Sequence, residues 1–481
     1  MGMSYVIGLD VGTTSVRSCA YEVETAKFEM IRQKTVDQIY PKPDWVEEDA
    51  EEIFLSTYMC LEDAVDKVDG DVLAISITNM RETVVCWDKL TGKPLYNAII
   101  WQCRRTREYC ENLPEEDKKT IYDKTGLVVD AYFSASKIKY LLDNVKSVRE
   151  ALKADRLCVG TVDAFIIYRL TGGKNFVTDA TNASRTMLYN IHTGEYDQEL
   201  LDIFGVPKNI LPTVLDNAQI FGYMPVNDKF VPIAGVMGDQ QAALYGQNCT
   251  EMGDAKVTYG TGLFMLFNTA DKATVTDTGL LTTVAYRIGK KTTYALEGSV
   301  FNAGTAIQLL RDNFGLITTA AESQALAQSV PDSNGVCFVP AFTGLGAPHW
   351  RSDVKGLIYG LTRSSTKAHL VRASLEAMAF ACRELFEIMI KASGINLNFV
   401  KADGGASENG FLMQYQADQL GVPVKVPESK EATVLGSVKM CMKTLGIPDV
   451  QKENLTAFTP SKTRDDGAYN NWLNAVKRCL V

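Results

Sequence analysis

Short apolar runs closed by glycine- or hydroxyl-rich turns recur along the chain. Tyr5-Val6-Ile7-Gly8-Leu9 reads as a buried strand, and Asp10-Val11-Gly12-Thr13-Thr14-Ser15 as the turn that ends it. A second strand over 16–23 completes a hairpin. Over 49–68 the period changes to that of a helix, with Phe54, Tyr58, Leu61 and Val65 spaced to share one face. Further strands are predicted at 72–77, running into Thr78-Asn79-Met80-Arg81-Glu82, and at 231–236, running into Gly238-Asp239-Gln240-Gln241. The same grammar then restarts. A strand over 256–259 meets Gly260-Thr261-Gly262, and one over 398–402 meets Asp403-Gly404-Gly405-Ala406 before an apolar helix from Phe411. Strands alternating with helices argue an α/β protein with mixed sheets. The restart predicts two domains facing each other across a cleft. Apolar periodicity lapses over 246–253, so the expected division is an N-terminal domain over 1–247 and a C-terminal, nucleotide-binding domain over 248–481.

Composition narrows the function class. The 481 residues are 46% apolar and 22% charged, an ordinary globular balance with enough chain for a large core. A net charge of −9 argues against nucleic acid as a partner. It leaves room for small anions held by backbone N–H groups. The 11 cysteines are scattered, without a Cys-x-x-Cys pair, and read as reduced thiols of a cytoplasmic protein. His192, His349 and His369 lack metal-ligand spacing. The first basic residue is Arg17, so no targeting peptide is expected, and no apolar run approaches the ~20 residues of a membrane span.

Phosphoryl transfer needs a phosphate cradle, a metal carboxylate and a group to take the acceptor's proton. Asp10-x-Gly12-Thr13-Thr14 offers backbone and hydroxyl donors with a carboxylate at the strand end for Mg²⁺, or is an ordinary hairpin turn. Gly260-Thr261-Gly262 is a phosphate cradle of the same kind or a strand-ending turn, and the glycines of Asp403-Gly404-Gly405-Ala406 let a nucleotide lie against backbone near a helix N-terminus or make a tight βα loop. Asp239, at a strand end, is a general base or a helix cap. Arg81-Glu82 pairs a donor-only with an acceptor-only group, which suits neighbouring hydroxyls as well as a structural ion pair. Trp101, Tyr132 and Phe264 are candidate apolar walls or core. Neither a phosphate loop ending in Gly-Lys-Ser/Thr nor a dinucleotide Gly-x-Gly-x-x-Gly is present.

In this order the pieces resemble the carbohydrate kinases that share the actin- and hexokinase-like ATPase fold. Asp10-x-Gly-Thr-Thr is similar to that group's first phosphate loop, Gly260-Thr261-Gly262 to its second, and Asp403-Gly404-Gly405-Ala406 to its adenosine loop. The segments 78–83, 97–106, 178–188, 238–244 and 340–348 are similar to those of the glycerol kinases, over nearly the whole chain. The resemblance implies two ribonuclease H-like domains that close over MgATP and glycerol and make sn-glycerol 3-phosphate. It implies that Arg81, Glu82, Trp101, Tyr132, Asp239, Gln240 and Phe264 meet the polyol, with Asp239 the catalytic base. Thr13, Thr14, Ser15, Arg17, Thr261, Gly262, Gly304, Gln308, Gly405 and Asn409 would serve ATP, and Asp10 with Asp239 would meet Mg²⁺. A homodimer or homotetramer is implied as well. Two other functions fit the motifs: a kinase for another polyol or a ketose, and a nucleotide-binding sensor. The sensor would be expected to lack the base or the metal carboxylate.

Overall fold

The computed structural model describes residues 2–227, 229–351, 353–429, 431–451 and 453–481. Positions 1, 228, 352, 430 and 452, which fall within the expected halves, lie outside the described residues.

The first sheet is built from β1 (Met3–Val11), β2 (Ser15–Glu22) and β3 (Lys27–Thr35), followed by helix α1 (Ala50–Lys67) and β4 (Gly70–Asn79). After β5 (Val84–Asp88) and helix α2 (Ser134–Asn144) of an inserted layer, the chain returns with β6 (Ile220–Val226) and β7 (Lys229–Gly238). The spatial order is β6-β7-β4-β1-β2-β3. Strands β1, β2 and β3 are antiparallel neighbours, whereas β4 runs parallel to β1 and β7 parallel to β4.

Helix α3 (Asp239–Gly246) leads to the second sheet: β8 (Asp254–Tyr259), β9 (Leu263–Ala270), β10 (Leu281–Ile288) and β11 (Lys291–Val300). It continues through α4 (Lys367–Ser393), β12 (Phe399–Asp403), α5 (Gly410–Leu420), β13 (Val424–Pro427), α6 (Ala432–Leu445) and β14 (Leu455–Phe458). Its order is β10-β11-β9-β8-β12-β13-β14. Strands β8, β9 and β11 repeat the antiparallel trio, and β12 and β13 repeat the parallel extension. The α/β architecture expected from the restart of the pattern is therefore present as one topology built twice. No helix among the described residues is long and apolar enough to cross a membrane.

Strand β1 is apolar on both faces because both are covered. Ile7 and Leu9 join Ile53, Leu61 and Ala64 of α1 in one core, and Val6 joins Val434 and Val438 of α6 in another. The face of α1 that is buried runs through Ile53, Thr57, Cys60 and Ala64. Tyr58, expected on it, is exposed, because it falls at the edge of that stripe. Helix α6, late in sequence, packs on β1, β4 and β7 of the first sheet and crosses α3. That crossing needs glycine: a Cβ on Gly436 would stand 1.8 Å from the Ala242 carbonyl oxygen, and one on Gly246 2.0 Å from that of Ala432. The contact fixes α3, and with it the strand end that opens it.

Candidate active site

Three parallel strands end together. Asn79 of β4 is in register with Val11 of β1 and with Gly238 of β7. Their carboxyl ends set Asp10, Arg81-Glu82 and Asp239 along one edge of the sheet, where ligands bind in open α/β sheets. The β8–β9 turn and the end of β12 are the corresponding positions in the second half.

Asp239 is the first residue of α3, and Gly238 occupies the cap position without a side-chain cap bond. The carboxylate accepts from the N–H of Gln240 at 2.7 Å, whereas capping satisfies the second or third N–H. Its peptide is pinned by Gly238 N–H, which donates to Thr181 Oγ1 at 2.8 Å. Burial raises the Asp239 pKa, Arg81 and Lys256 oppose the rise, and Asp10 adds to it. A carboxyl raised above the ordinary aspartate range and still 31% exposed suits proton abstraction.

Arg81 and Glu82 are both joined to a buried charge cluster. Arg81 Nη1 lies 2.7 Å from Glu297 Oε2, and its Nη2 donates to Glu297 Oε1 at 3.1 Å. Arg185 Nη2 donates to the same Oε1 at 3.0 Å, and Arg185 Nε to Glu82 Oε1 at 2.6 Å. Arg81 Nε faces Asp239 Oδ1 at 3.2 Å. Arg81, Glu82, Arg185 and Glu297 are each at most 2% exposed. Burial pulls the Glu297 carboxyl upward, but Arg185 and Arg81 overcome this and hold it at about 2. Glu82 is raised, burial outweighing Arg81 and Arg185. The ion-pair reading of Arg81-Glu82 and the polyol reading are thus compatible: the cluster sets Arg81 against Asp239 and Glu82 against Arg81.

The three aromatic residues come together. The Trp101 ring lies edge-on to Tyr132 at 5.7 Å and to Phe264 at 6.4 Å between centroids. Trp101 Nε1 also donates to Thr13 Oγ1 at 2.9 Å, which joins this wall to the first loop. Gln240 accepts a hydrogen bond from the buried Lys256 ammonium of β8, so the residue beside Asp239 is held from the second sheet.

The residues expected at the nucleotide divide into two groups. Thr14 and Thr261 in the two turns, Gln308 at the end of the helix Gly304–Gln308, and Gly405 at the start of a 3-10 turn are exposed, and a Cβ on Gly405 would meet nothing within 4 Å. Gly262 is buried in the β8–β9 turn, where its carbonyl accepts from Gly260 N–H at 2.9 Å. Gly304 N–H donates to the Gly260 carbonyl at 3.1 Å, and a Cβ there would strike that oxygen at 2.5 Å, so its helix packs directly beneath the second loop. Others are already engaged. Ser15 Oγ accepts from Gln33 at 3.2 Å. The Asn409 amide caps α5 through Leu412 N–H at 3.1 Å and donates to Ser323 at 3.1 Å. Arg17 pairs with Asp10 at 2.7 Å and Glu431 at 3.1 Å, leaving its buried Nε without a partner.

For a metal, the expected carboxylates Asp10 and Asp239 each face an arginine, Arg17 at 2.7 Å and Arg81 at 3.2 Å, and are close enough that Asp10 raises the Asp239 pKa. Among the described residues no cluster of three or more His, Cys, Asp or Glu is poised for a metal ion. Two carboxylates fit Mg²⁺, which keeps waters and substrate phosphates in its shell, better than an ion that needs an all-protein cage.

Sequence reasoning missed Arg185, Glu297, Lys256 and Lys137. One signal was available: Glu297 and Lys256 each follow apolar neighbours within a strand, in Ala295-Leu296-Glu297-Gly298 and Ala255-Lys256-Val257. A charge inside a buried run needs a partner.

Residues 5–246 match the profile of the FGGY family of carbohydrate kinases, N-terminal domain, and residues 255–445 that of its C-terminal domain. The chain is 46% identical to glycerol kinase 2 of Thermotoga maritima, covering 99% of each chain. It is 48% identical to glycerol kinase of Deinococcus radiodurans, covering 98% of this chain and 97% of the other. A crystal structure of Plasmodium falciparum glycerol kinase with ADP superposes with a TM-score of 0.91 at 34% identity, over 100% of this chain and 99% of that one. Gluconate kinase from Lactobacillus acidophilus shares the fold, with a TM-score of 0.87 at 23% identity and coverage of 99% and 97%. The duplicated topology and these matches place the chain in the FGGY family of carbohydrate kinases, alongside the glycerol kinases.

Proposed function

We propose that the chain transfers the γ-phosphoryl group of ATP to a terminal hydroxyl of glycerol, giving sn-glycerol 3-phosphate and ADP. The observation that carries this reading is that Arg81 faces the part-exposed Asp239 at 3.2 Å while touching Glu82 at 3.8 Å and, at 3.5 Å, Tyr132 of the wall formed with Trp101 and Phe264. A guanidinium that only donates and a carboxylate that only accepts match adjacent hydroxyls, while the rings cover a short carbon chain. The names of the relatives, at 46–48% identity over nearly full length, support the same acceptor.

In this reading Asp239 takes the proton of the attacking hydroxyl as its oxygen bonds to the γ-phosphorus and the bond to the β-phosphate oxygen breaks. Gln240, tied to Lys256, sets the entry of α3 beside it. Thr13 and Thr14 of the first loop, Ser15 and Arg17 at the start of β2, and Thr261 and Gly262 of the second loop face the phosphates. Gly304 and Gln308 lie beyond them, and Gly405 and Asn409 flank the adenosine. Asp10 and Asp239 would hold Mg²⁺, which supplies positive charge to the phosphate oxygens when bound. The halves 1–247 and 248–481 bring acceptor and donor together and exclude water, the competing acceptor. All eleven cysteines are unpaired, which supports a cytoplasmic setting. Assembly as a dimer or tetramer belongs to the same reading and is read directly by light scattering.

The test is ADP release from MgATP with glycerol, dihydroxyacetone, xylulose, ribulose or gluconate against a no-acceptor control. Turnover with glycerol far above the others is expected. Preference for a ketose or sugar acid would overturn the acceptor, and ATP binding without turnover on any acceptor would indicate a sensor.

A further inference from the structure

Glu82 lies in the left-handed backbone region, with φ of +60°. Residues that carry a Cβ avoid this region, and surrounding contacts must enforce it. Two donors from the first turn of α2 meet the Glu82 carbonyl: Ser134 Oγ at 3.1 Å and Lys137 Nζ at 3.1 Å. The same ammonium donates to the Tyr132 carbonyl at 2.6 Å. One cation therefore joins the main chains of two residues that the proposed function sets on the acceptor.

Ordinary packing does not account for a lysine here. Lys137 is fully buried, where lysine is rare. It stands near the N-terminus of α2, where the helix dipole disfavours a cation. Burial lowers its pKa to about 7, with Glu82, Cys103 and Asp130 holding it up and Arg104 pressing it down. An apolar side chain would avoid all of these penalties. What the ammonium adds is a pair of charge-assisted bonds to two carbonyls from different parts of the chain.

We propose that Lys137, with Ser134 beside it, is a positioning clamp for the acceptor. It holds the Glu82 and Tyr132 backbones together so that carboxylate and phenol converge on one polyol. This rests on the proposed glycerol reading and adds to it the residues that shape the acceptor pocket from behind.

The test compares full-length wild type, Lys137→Met and Ser134→Ala. Glycerol Kd is measured by calorimetry and KM for both glycerol and ATP by ADP release, with a thermal melt for each variant. Lys137→Met is expected to raise glycerol Kd and KM about ten- to a hundred-fold, the range for a lost hydrogen bond to a charged group. KM for ATP should stay within about twofold, and Ser134→Ala should weaken glycerol binding by a few-fold. A folded Lys137→Met protein with wild-type glycerol Kd, or with equal increases in both KM values, overturns the clamp. If Lys137→Met does not fold, Ser134→Ala decides, and an unchanged glycerol Kd overturns the clamp. A wild-type protein that binds no glycerol would instead defeat the functional reading, a separate outcome visible before any variant is made.

Discussion

Replacing Glu297 by glutamine probes the charge cluster at its centre. Glu297 Oε1 and Oε2 accept from Arg81 at 3.1 and 2.7 Å, and Oε1 also accepts from Arg185 at 3.0 Å, all away from solvent. Holding this carboxyl at about 2 rather than 4.5 corresponds to about 3 kcal/mol, at about 1.4 kcal/mol per pH unit. Breaking a buried ion pair by removing one partner costs about 3–5 kcal/mol by an independent route. With an unfolding entropy of about 2 cal/mol/K per residue, the loss should lower the melting midpoint by about 3 °C if the 481 residues unfold as one unit, and about 6 °C if one half does. The sign with pH follows from a folded pKa below the unfolded one. The stabilisation is complete above pH 4.5 and is lost as pH falls from there towards 2. The gap between wild type and Glu297→Gln should therefore be constant from pH 6 to 8. Scanning fluorimetry reads the midpoint, and calorimetry reads glycerol affinity, which should weaken as Arg81 loses its two-pronged anchor. A midpoint within about 1 °C of wild type at pH 7, or undiminished glycerol affinity, would refute the reasoning.

Asp239→Asn should fold and bind ATP normally while kcat falls by about 10²–10⁴, the range of a general base, measured by coupled ADP detection. Lys256→Met should move the acid limb of kcat to higher pH, since Lys256 opposes the rise that burial gives the Asp239 pKa. Gly436→Ala would press a methyl into the Ala242 carbonyl and shift α3, so kcat should drop by tenfold or more, given that displacement by about 1 Å can cost 10²-fold. A kinetically normal Gly436→Ala protein would show that the α3–α6 crossing does not position Asp239.

The strands and turns that build the site were legible because each is local: an apolar run, then glycine, threonine or aspartate where the chain must turn. Asp10, Arg81, Glu82 and Asp239 could be named from that grammar, and the three aromatics became a wall once the fold joined positions 101, 132 and 264. Glu297 and Arg185 were not legible as site residues. Their meaning comes from pairing with Arg81 and Glu82 across 216 and 103 positions, which no local pattern encodes. Lys137 was hidden differently. Its partners are main-chain carbonyls, and the left-handed turn at Glu82 that needs them leaves no residue-type signature. Tyr58 shows the limit of helical spacing, where a residue at the edge of the apolar stripe reads like one at its centre.

The central claim is transfer of phosphoryl to a glycerol hydroxyl rather than to water. ³¹P NMR of the protein with MgATP and glycerol tests it in one spectrum. Loss of the γ-phosphate signal matched by a single phosphomonoester is expected, with stereochemical assay giving the sn-3 isomer. Inorganic phosphate as the product, or a γ-phosphate signal unchanged by glycerol, would contradict it.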